Sequence, residues 1–355
     1  MSTPNNYNSF AMYRLPHAPF CCMIQGNATS YESLSDLDGK SGFVVAPFNA
    51  SSELPVALIG IEERRDLAVD EVGEDFMPEL SEWLIRESKL QENLVEGNDS
   101  NYPFDAFHDG ITSGKFHKIV LSRSKHVSTA TTESPFLYFK KACERYPRLF
   151  IALVYTPQSG LWLTATPEQL ISGGDNKYST MALAGTMPLP KDQQAPTWSD
   201  KNMQEQRMVA TYIGDCLRKI SDGFTEEGPR TVRAAQLIHL RSDFTFTLNG
   251  TTRLGQVISL LHPTPAVCGL PKDDTLEFIL SHEAHSRRYY SGFMGLLNAD
   301  GYTLLYMSLR CMQIAGNHFR LYAGGGLLKD STREQEYDET EDKMETMLQL
   351  LDDNI

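Results

Sequence analysis

The chemistry-bearing residues of this chain are densest where Gly324-Gly325-Gly326 is followed, from Ser331, by S-T-R-E-Q-E-Y-D-E-T-E-D-K. Ser331 with Glu334 three residues on has capping-box spacing and predicts a helix start. Glu336, Glu339 and Lys343 then fall three and four apart, on one helical face beside a predicted glycine turn. A glycine loop ahead of a helix ordinarily cradles phosphate. Carboxylates around such a loop repel phosphate unless a divalent cation lies between them. Taken alone, the default for this segment is a solvated acidic helix laced with Glu–Lys pairs.

Other candidates are scattered and individually weak. Lys118 opens a strand in H-K-I-V-L-S-R, where a surface charge is the default. Glu168 in A-T-P-E-Q-L follows a predicted hairpin, and Glu205 sits on a predicted helix near Arg207. His239 in I-H-L and His262 in L-H-P-T-P read first as hydrogen-bonded core histidines. Arg310 closes the apolar strand Y-M-S-L-R, where a guanidinium needs a carboxylate from the protein or a ligand. Together they make an inventory. Glu205 and Glu339 on separate helices suit a divalent ion, and their oxygen-only chemistry favours Mg²⁺. A lysine and a third glutamate suit base and acid, and Arg310 with Tyr290 suits a carboxylate substrate.

The elements that must position these groups follow from periodicity. Short strands are predicted at Cys21–Gln25, Gly42–Phe48, Val56–Ile61 and Lys118–Arg123, and a hairpin over Leu149–Thr156 and Gly160–Thr166. Helices are predicted over Met77–Leu94, Pro135–Arg145, Lys201–Lys219 and Thr275–Ser281. Gln236–Leu248 reads as extended, and three β-rich runs lie at Gly292–Leu297, Thr303–Leu309 and His318–Ala323. Strands joined by hairpins point to an α+β fold, a large two-sheet sandwich of mostly antiparallel strands flanked by helices. No long linker or repeat divides the 355 residues, so a single domain over 1–355 is expected, with 1–105 supplying part of the sheets and 106–355 carrying the motifs.

The net charge of −14, from 46 acidic against 32 basic side chains, disfavours nucleic acid as a partner. No apolar run approaches a membrane span and no secretory signal is visible. The six cysteines, including Cys21-Cys22, form neither a disulfide framework nor a zinc spacing, which suggests reduced thiols and a cytoplasmic location.

In order, H-K-I-V-L-S-R (117–123), L-T-A-T-P-E-Q-L (163–170), A-L-A-G-T (182–186), S-D-K-N-M-Q-E-Q (199–206) and I-H-L-R-S (238–242) are family-like segments. L-H-P-T-P-A-V-C-G (261–269), R-R-Y-Y-S-G-F-M-G (287–295), S-L-R (308–310), A-G-G-G (323–326) and E-Y-D-E-T-E-D-K (336–343) complete the series. Over this stretch the chain resembles the chorismate-utilising enzymes, and among them the isochorismate synthases. Members that add ammonia carry glutamine where this chain has Lys118. Some aminodeoxychorismate synthases use a K-G-T lysine where Ala184-Gly185-Thr186 stands. The H-P-T-P-A turn at His262–Ala266 separates this pattern from the salicylate synthases.

The resemblance implies roles. Lys118 would deprotonate water for attack at C2 of chorismate, and Glu168 would protonate the departing C4 hydroxyl. Glu205 and Glu339 would hold Mg²⁺ on the ring carboxylate, with Glu336 as a nearby or water-mediated partner. Tyr290 and Arg310 would take the enolpyruvyl carboxylate, helped by backbone N–H groups of Gly324, Gly325 and Gly326. Lys343 would approach a substrate carboxylate, Gly185 would contact the leaving hydroxyl, and His239 and His262 would line the pocket. Such a lysine must be held neutral while the carboxyl stays protonated. No glutaminase subunit is expected, and a monomer is the default. Departures are Gln204 and Gln206 flanking Glu205, where H-E-H is common, together with Met187, Cys268 and Ser291. Salicylate synthesis, or a non-catalytic chorismate-binding role, is the alternative.

Overall fold

A computed structural model describes residues 7–73, 75–95, 101–189, 196–234, 237–248 and 253–351. Two nine-stranded sheets dominate it. The first runs Gly269–Leu270, Lys118–Ser128, His318–Leu327, Cys311–Ala315, Gly160–Thr166, Phe150–Thr156, Ser9–Arg14, Phe20–Gly26, Glu63–Ala68. The second runs Ser221–Ala234, Leu237–Leu248, Lys177–Pro188, Gln169–Gly174, Tyr302–Met307, Phe293–Ala299, Gly42–Ala46, Val56–Ile59, Ala28–Tyr31. The pairings between them are antiparallel throughout the described residues. The fold is α+β, as the hairpin-rich sequence implies.

Burial assigns the layers. In Ser9–Arg14, Ala11 and Tyr13 join Phe43, Val45 and Tyr306 of the second sheet in a core between the sheets. Phe10 and Met12 point the other way, onto Leu80, Trp83, Phe136 and Met344 of outer helices. In the second sheet Val44 and Ala46 likewise turn outward to the core that holds Val209, Ile213 and Val257. Strands covered on both faces lose the apolar–polar alternation of a half-exposed strand. That is why Ser9–Arg14, all buried, carries no strand periodicity in sequence. The first hundred residues supply three strands to each sheet.

Some boundaries differ from expectation. The helix predicted over Met77–Leu94 divides into Pro78–Lys89 and Glu92–Val95. The strand from Lys118 continues to Ser128 because its polar second half is held by the ladder to His318–Leu327. The helix Asp200–Ile220 begins one residue before the predicted start, capped by Ser199, whose side chain accepts from the Asn202 N–H. The extended run predicted at Gln236–Leu248 appears as Leu237–Leu248, position 236 lying outside the described residues. Among the described residues no helix is long and apolar enough to cross a membrane, and all six cysteines are free and buried.

Candidate active site

Two of the chain's crossings between the sheets lie side by side. Gly160–Thr166 belongs to the first sheet and Gln169–Gly174 to the second, so Pro167-Glu168 is a two-residue crossing. Tyr302–Met307 and Cys311–Ala315 are joined in the opposite sense through Ser308–Arg310. The crossings are tied by Met307 N–H to Glu168 C=O at 2.9 Å and Ala165 N–H to Arg310 C=O at 3.1 Å. Arg310 takes a φ of 45° to make its turn. Glu168 and Arg310 thereby enter one cavity, where a few polar groups converge on an otherwise apolar wall as in a small-molecule site.

Glu205, Glu339 and Lys343 reach the same cavity from the helices Asp200–Ile220 and Arg333–Leu348, and Gly185, His239 and Tyr290 complete its polar wall. Gly185 sits at a bulge between Ala184 and Thr186 with a φ of 75°, a conformation suited to glycine. Its N–H is thereby turned onto Glu205 Oε2 at 3.2 Å.

Glu168 is enclosed, and burial raises its carboxyl to about 8, against the opposing pull of Lys118, Lys343 and Arg310. It is therefore an acid with a proton to give at neutral pH. Burial also works to raise the Glu205 carboxyl, but Lys118 above all, helped by Lys343 and Lys201, holds it below the usual range. Burial brings the Arg310 guanidinium down to about 10.

His239 has a single assignable tautomer. Arg310 Nη2 lies 2.6 Å from His239 Nε2 and can only donate, so Nε2 accepts. Nδ1 then carries the hydrogen and donates to the Gly185 carbonyl at 3.2 Å. Burial, then Arg310 and Lys343, keep the ring neutral well below its ordinary range.

Lys118 stands one layer back. Its side chain is wholly buried and its Nζ lies 2.8 Å from Glu205 Oε1, but it does not itself line the cavity. The contact is an ion pair without hydrogen-bonding geometry. Gly326 explains the tight fit: a Cβ there would lie 2.4 Å from Glu205 Oε1 and 2.6 Å from Lys118 Cε.

The three glycines correct an expectation. They form no turn; they lie inside His318–Leu327, with Gly324, Gly325 and Gly326 opposite Ser122, Leu121 and Val120. Glycine is needed for space, since a Cβ at Gly324 would lie 2.8 Å from Tyr290 Oη and one at Gly325 2.9 Å from Glu336 Oε2. Backbone N–H and C=O of one strand residue leave on the same side. Lys343 Nζ takes the Gly324 carbonyl at 2.9 Å, so the Gly324 N–H is offered on that side too. Gly324 and Gly326 line the cavity and Gly325 does not, the alternation expected of a strand. The helix cap also shifts by one residue: Thr332, not Ser331, accepts from the Gln335 N–H, and Ser331 Oγ accepts from Leu328 N–H.

Two further positions lie off the cavity wall, His262 against the resemblance and Glu336 in keeping with a place one layer behind it. His262 is outside the cavity wall; its Nε2 faces the carbonyls of Pro47 and Phe48 at 3.2 and 3.1 Å, and its ring packs on Phe293. Burial lowers it to about 4. It fixes the H-P-T-P-A turn, whose Ala266 and the following Val267 do line the cavity. Glu336 is also behind the wall, 2.5 Å from Lys201 Nζ. Gln206, one of the altered flanks of Glu205, is buried and donates to Ser242 Oγ at 2.8 Å, so it ties helix to sheet. Sequence reasoning missed Lys201 and Tyr322. Tyr322 lines the cavity and stacks on Tyr290 at 5.5 Å. No local pattern marks either, since their partners are distant in sequence.

Glu205 and Glu339 give the cavity two carboxylates. No three His, Cys, Asp or Glu side chains among the described residues gather at metal-holding spacing. Two carboxylates nonetheless fit Mg²⁺, which keeps the rest of its shell for substrate and water.

Residues 86–352, about three quarters of the chain, match the chorismate binding enzyme family. The chain is 33% identical over 254 residues to isochorismate synthase MenF of Escherichia coli strain K12, covering 68% of this chain and 58% of that one. It is 31% identical over 258 residues to isochorismate synthase DhbC of Bacillus subtilis strain 168, covering 68% and 64%. The matched stretch thus spans about three fifths of these relatives' length. The crystal structure of a 2,3-dihydroxybenzoate-specific isochorismate synthase, DhbC from Bacillus anthracis, superposes with a TM-score of 0.77 at 23% identity, covering 97% and 96% of the two chains. With the motifs, the two-sheet fold and the match over residues 86–352 in agreement, the chain belongs to the chorismate binding enzyme family.

Proposed function

We propose that this chain is a Mg²⁺-dependent isochorismate synthase, interconverting chorismate and isochorismate for menaquinone or siderophore synthesis. The observation that carries this reading is the enclosed Glu168, its carboxyl pushed up by burial, in one cavity with Arg310, Lys343 and two carboxylates. The cations suit a substrate with two carboxylates, and Glu168 suits a hydroxyl that must leave with a proton.

In this reading Lys118 takes a proton from water, and the oxygen bonds to C2. The ring double bond shifts, the C4–O bond breaks, and Glu168 delivers the proton that lets the hydroxyl depart as water. The amine ends protonated and the carboxyl ionised; exchange of protons with solvent resets both. Lys118 can act as base only once Glu205 turns from it, because their 2.8 Å contact occupies the amine. Arg310, oriented by neutral His239, and Tyr290 grip the enolpyruvyl carboxylate, with the Gly324 N–H as a further donor. Glu205 and Glu339 would hold Mg²⁺, which would supply positive charge for the ring carboxylate.

Purified protein incubated with chorismate and Mg²⁺, without ammonia, should yield isochorismate by liquid chromatography and mass spectrometry. Salicylate with pyruvate would make it a salicylate synthase. Substrate-dependent thermal stabilisation with no product would make it a non-catalytic binder. A requirement for ammonia would point to a glutaminase-coupled relative.

A further inference from the structure

Three glutamates and three lysines meet beside the cavity, each carboxylate with its own ammonium. Lys118 pairs with Glu205 at 2.8 Å, Lys343 with Glu339 at 2.6 Å and Lys201 with Glu336 at 2.5 Å. The set is neutral as it stands, so a divalent cation entering alone adds two uncompensated charges.

The three lysines differ in freedom. Lys118 is wholly buried. Lys343 is held a second time, by the Gly324 carbonyl. Lys201 sits in the first turn of Asp200–Ile220 with a quarter of its side chain exposed, on a flexible stem with a path to water. It reaches beyond its own partner: burial works to lower its ammonium, but Glu336, then Glu339 and Glu205, hold it above the ordinary lysine range. Glu336, by contrast, is almost completely buried. Burial and then Glu339 push its carboxyl up, while Lys201 pulls it down. Without a counter-cation a charged Glu336 beside Glu339 is costly.

We propose that Lys201 is the resident counter-cation of the glutamate cluster: its ammonium, paired with Glu336 and facing Glu339 and Glu205, neutralises the cluster in the metal-free protein, opposes a divalent cation held by Glu205 and Glu339, and so sets the metal affinity of the site. The inference rests on the Mg²⁺ reading above. Its partner chemistry is a hard divalent cation, and its mobile part is one side chain.

The test uses Mn²⁺ as the probe, titrated without substrate into wild type, Lys201→Met, Glu336→Gln and the double variant, with free Mn²⁺ read by electron paramagnetic resonance. Lys201→Met should bind Mn²⁺ about tenfold more tightly than wild type. Its metal-free melting temperature should be lowered, and saturating Mg²⁺ should close the gap. If Lys201→Met does not fold, the double variant should still bind about threefold more tightly than Glu336→Gln, because Lys201 also faces Glu205 and Glu339. Unchanged or weaker binding when Lys201 is removed from a folded protein overturns the proposal. If wild type also converts chorismate in that case, the functional reading stands without it. Wild type that binds no Mn²⁺ overturns the proposal and the metal part of the functional reading together.

Discussion

Replacing Glu168 by glutamine keeps the side chain's shape and removes its proton chemistry. In the folded chain burial moves the carboxyl from its ordinary 4.5 to about 8, equivalent to roughly 5 kcal/mol between its two protonation states. The sign follows from proton counting. Between these values the folded state holds a proton that the unfolded state has released, so stability falls as pH rises. The contribution is fully present below about 4.5 and is lost as pH passes through 8. Urea midpoints of wild type and Glu168→Gln, measured every half unit from pH 5 to 9, isolate this group from other titrations. Wild type should lose about 2–5 kcal/mol relative to the variant across that range. Turnover should vanish in the variant, and wild-type turnover should decline above a pH near 8 as the acid is lost. Parallel stability curves would refute the buried-acid assignment. A variant with wild-type turnover would refute its role in the chemistry.

Lys118→Ala should abolish turnover while substrate still binds by calorimetry, and should lower stability by about 3–5 kcal/mol by leaving Glu205 buried and unpaired. Lys118→Met with Glu205→Gln should recover most of that stability without restoring activity. Gly326→Ala places a methyl 2.4 Å from Glu205 Oε1, so a stability loss of about 1–3 kcal/mol and a weakened metal response are expected; a silent substitution would mean that the strand is not packed as described. His239→Phe removes the acceptor from Arg310 and the donor from Gly185, and should raise KM for chorismate about tenfold or more. Chelation with EDTA should abolish turnover and Mg²⁺ restore it; full activity after chelation would remove the metal from the mechanism.

Much of the site was legible because residue type and local spacing carry it. The run Glu336, Glu339, Lys343 declares one helical face in any context, and the ordered motifs from Lys118 onward identify the family. The hairpins around Gly160–Thr166 and Tyr302–Met307 imply antiparallel sheets from turn chemistry alone. Relations between distant residues were not legible. Gly324–Gly326 reads as a loop in sequence, because flexibility is the common use of glycine; only the ladder to Val120–Ser122 makes it a strand kept bare for Glu205, Tyr290 and Glu336. His262 reads as a core histidine on its own and as a pocket residue by resemblance, and only the Pro47 and Phe48 carbonyls facing its ring decide for the core. Lys201 lies four residues before Glu205 on the same helix, yet its partner Glu336 is 135 residues away. Sequence determined which charges exist and which share a helix face. The pairing of those charges, and the burial that leaves Glu168 protonated, arise where two sheet crossings bring distant segments together, and no local pattern encodes that.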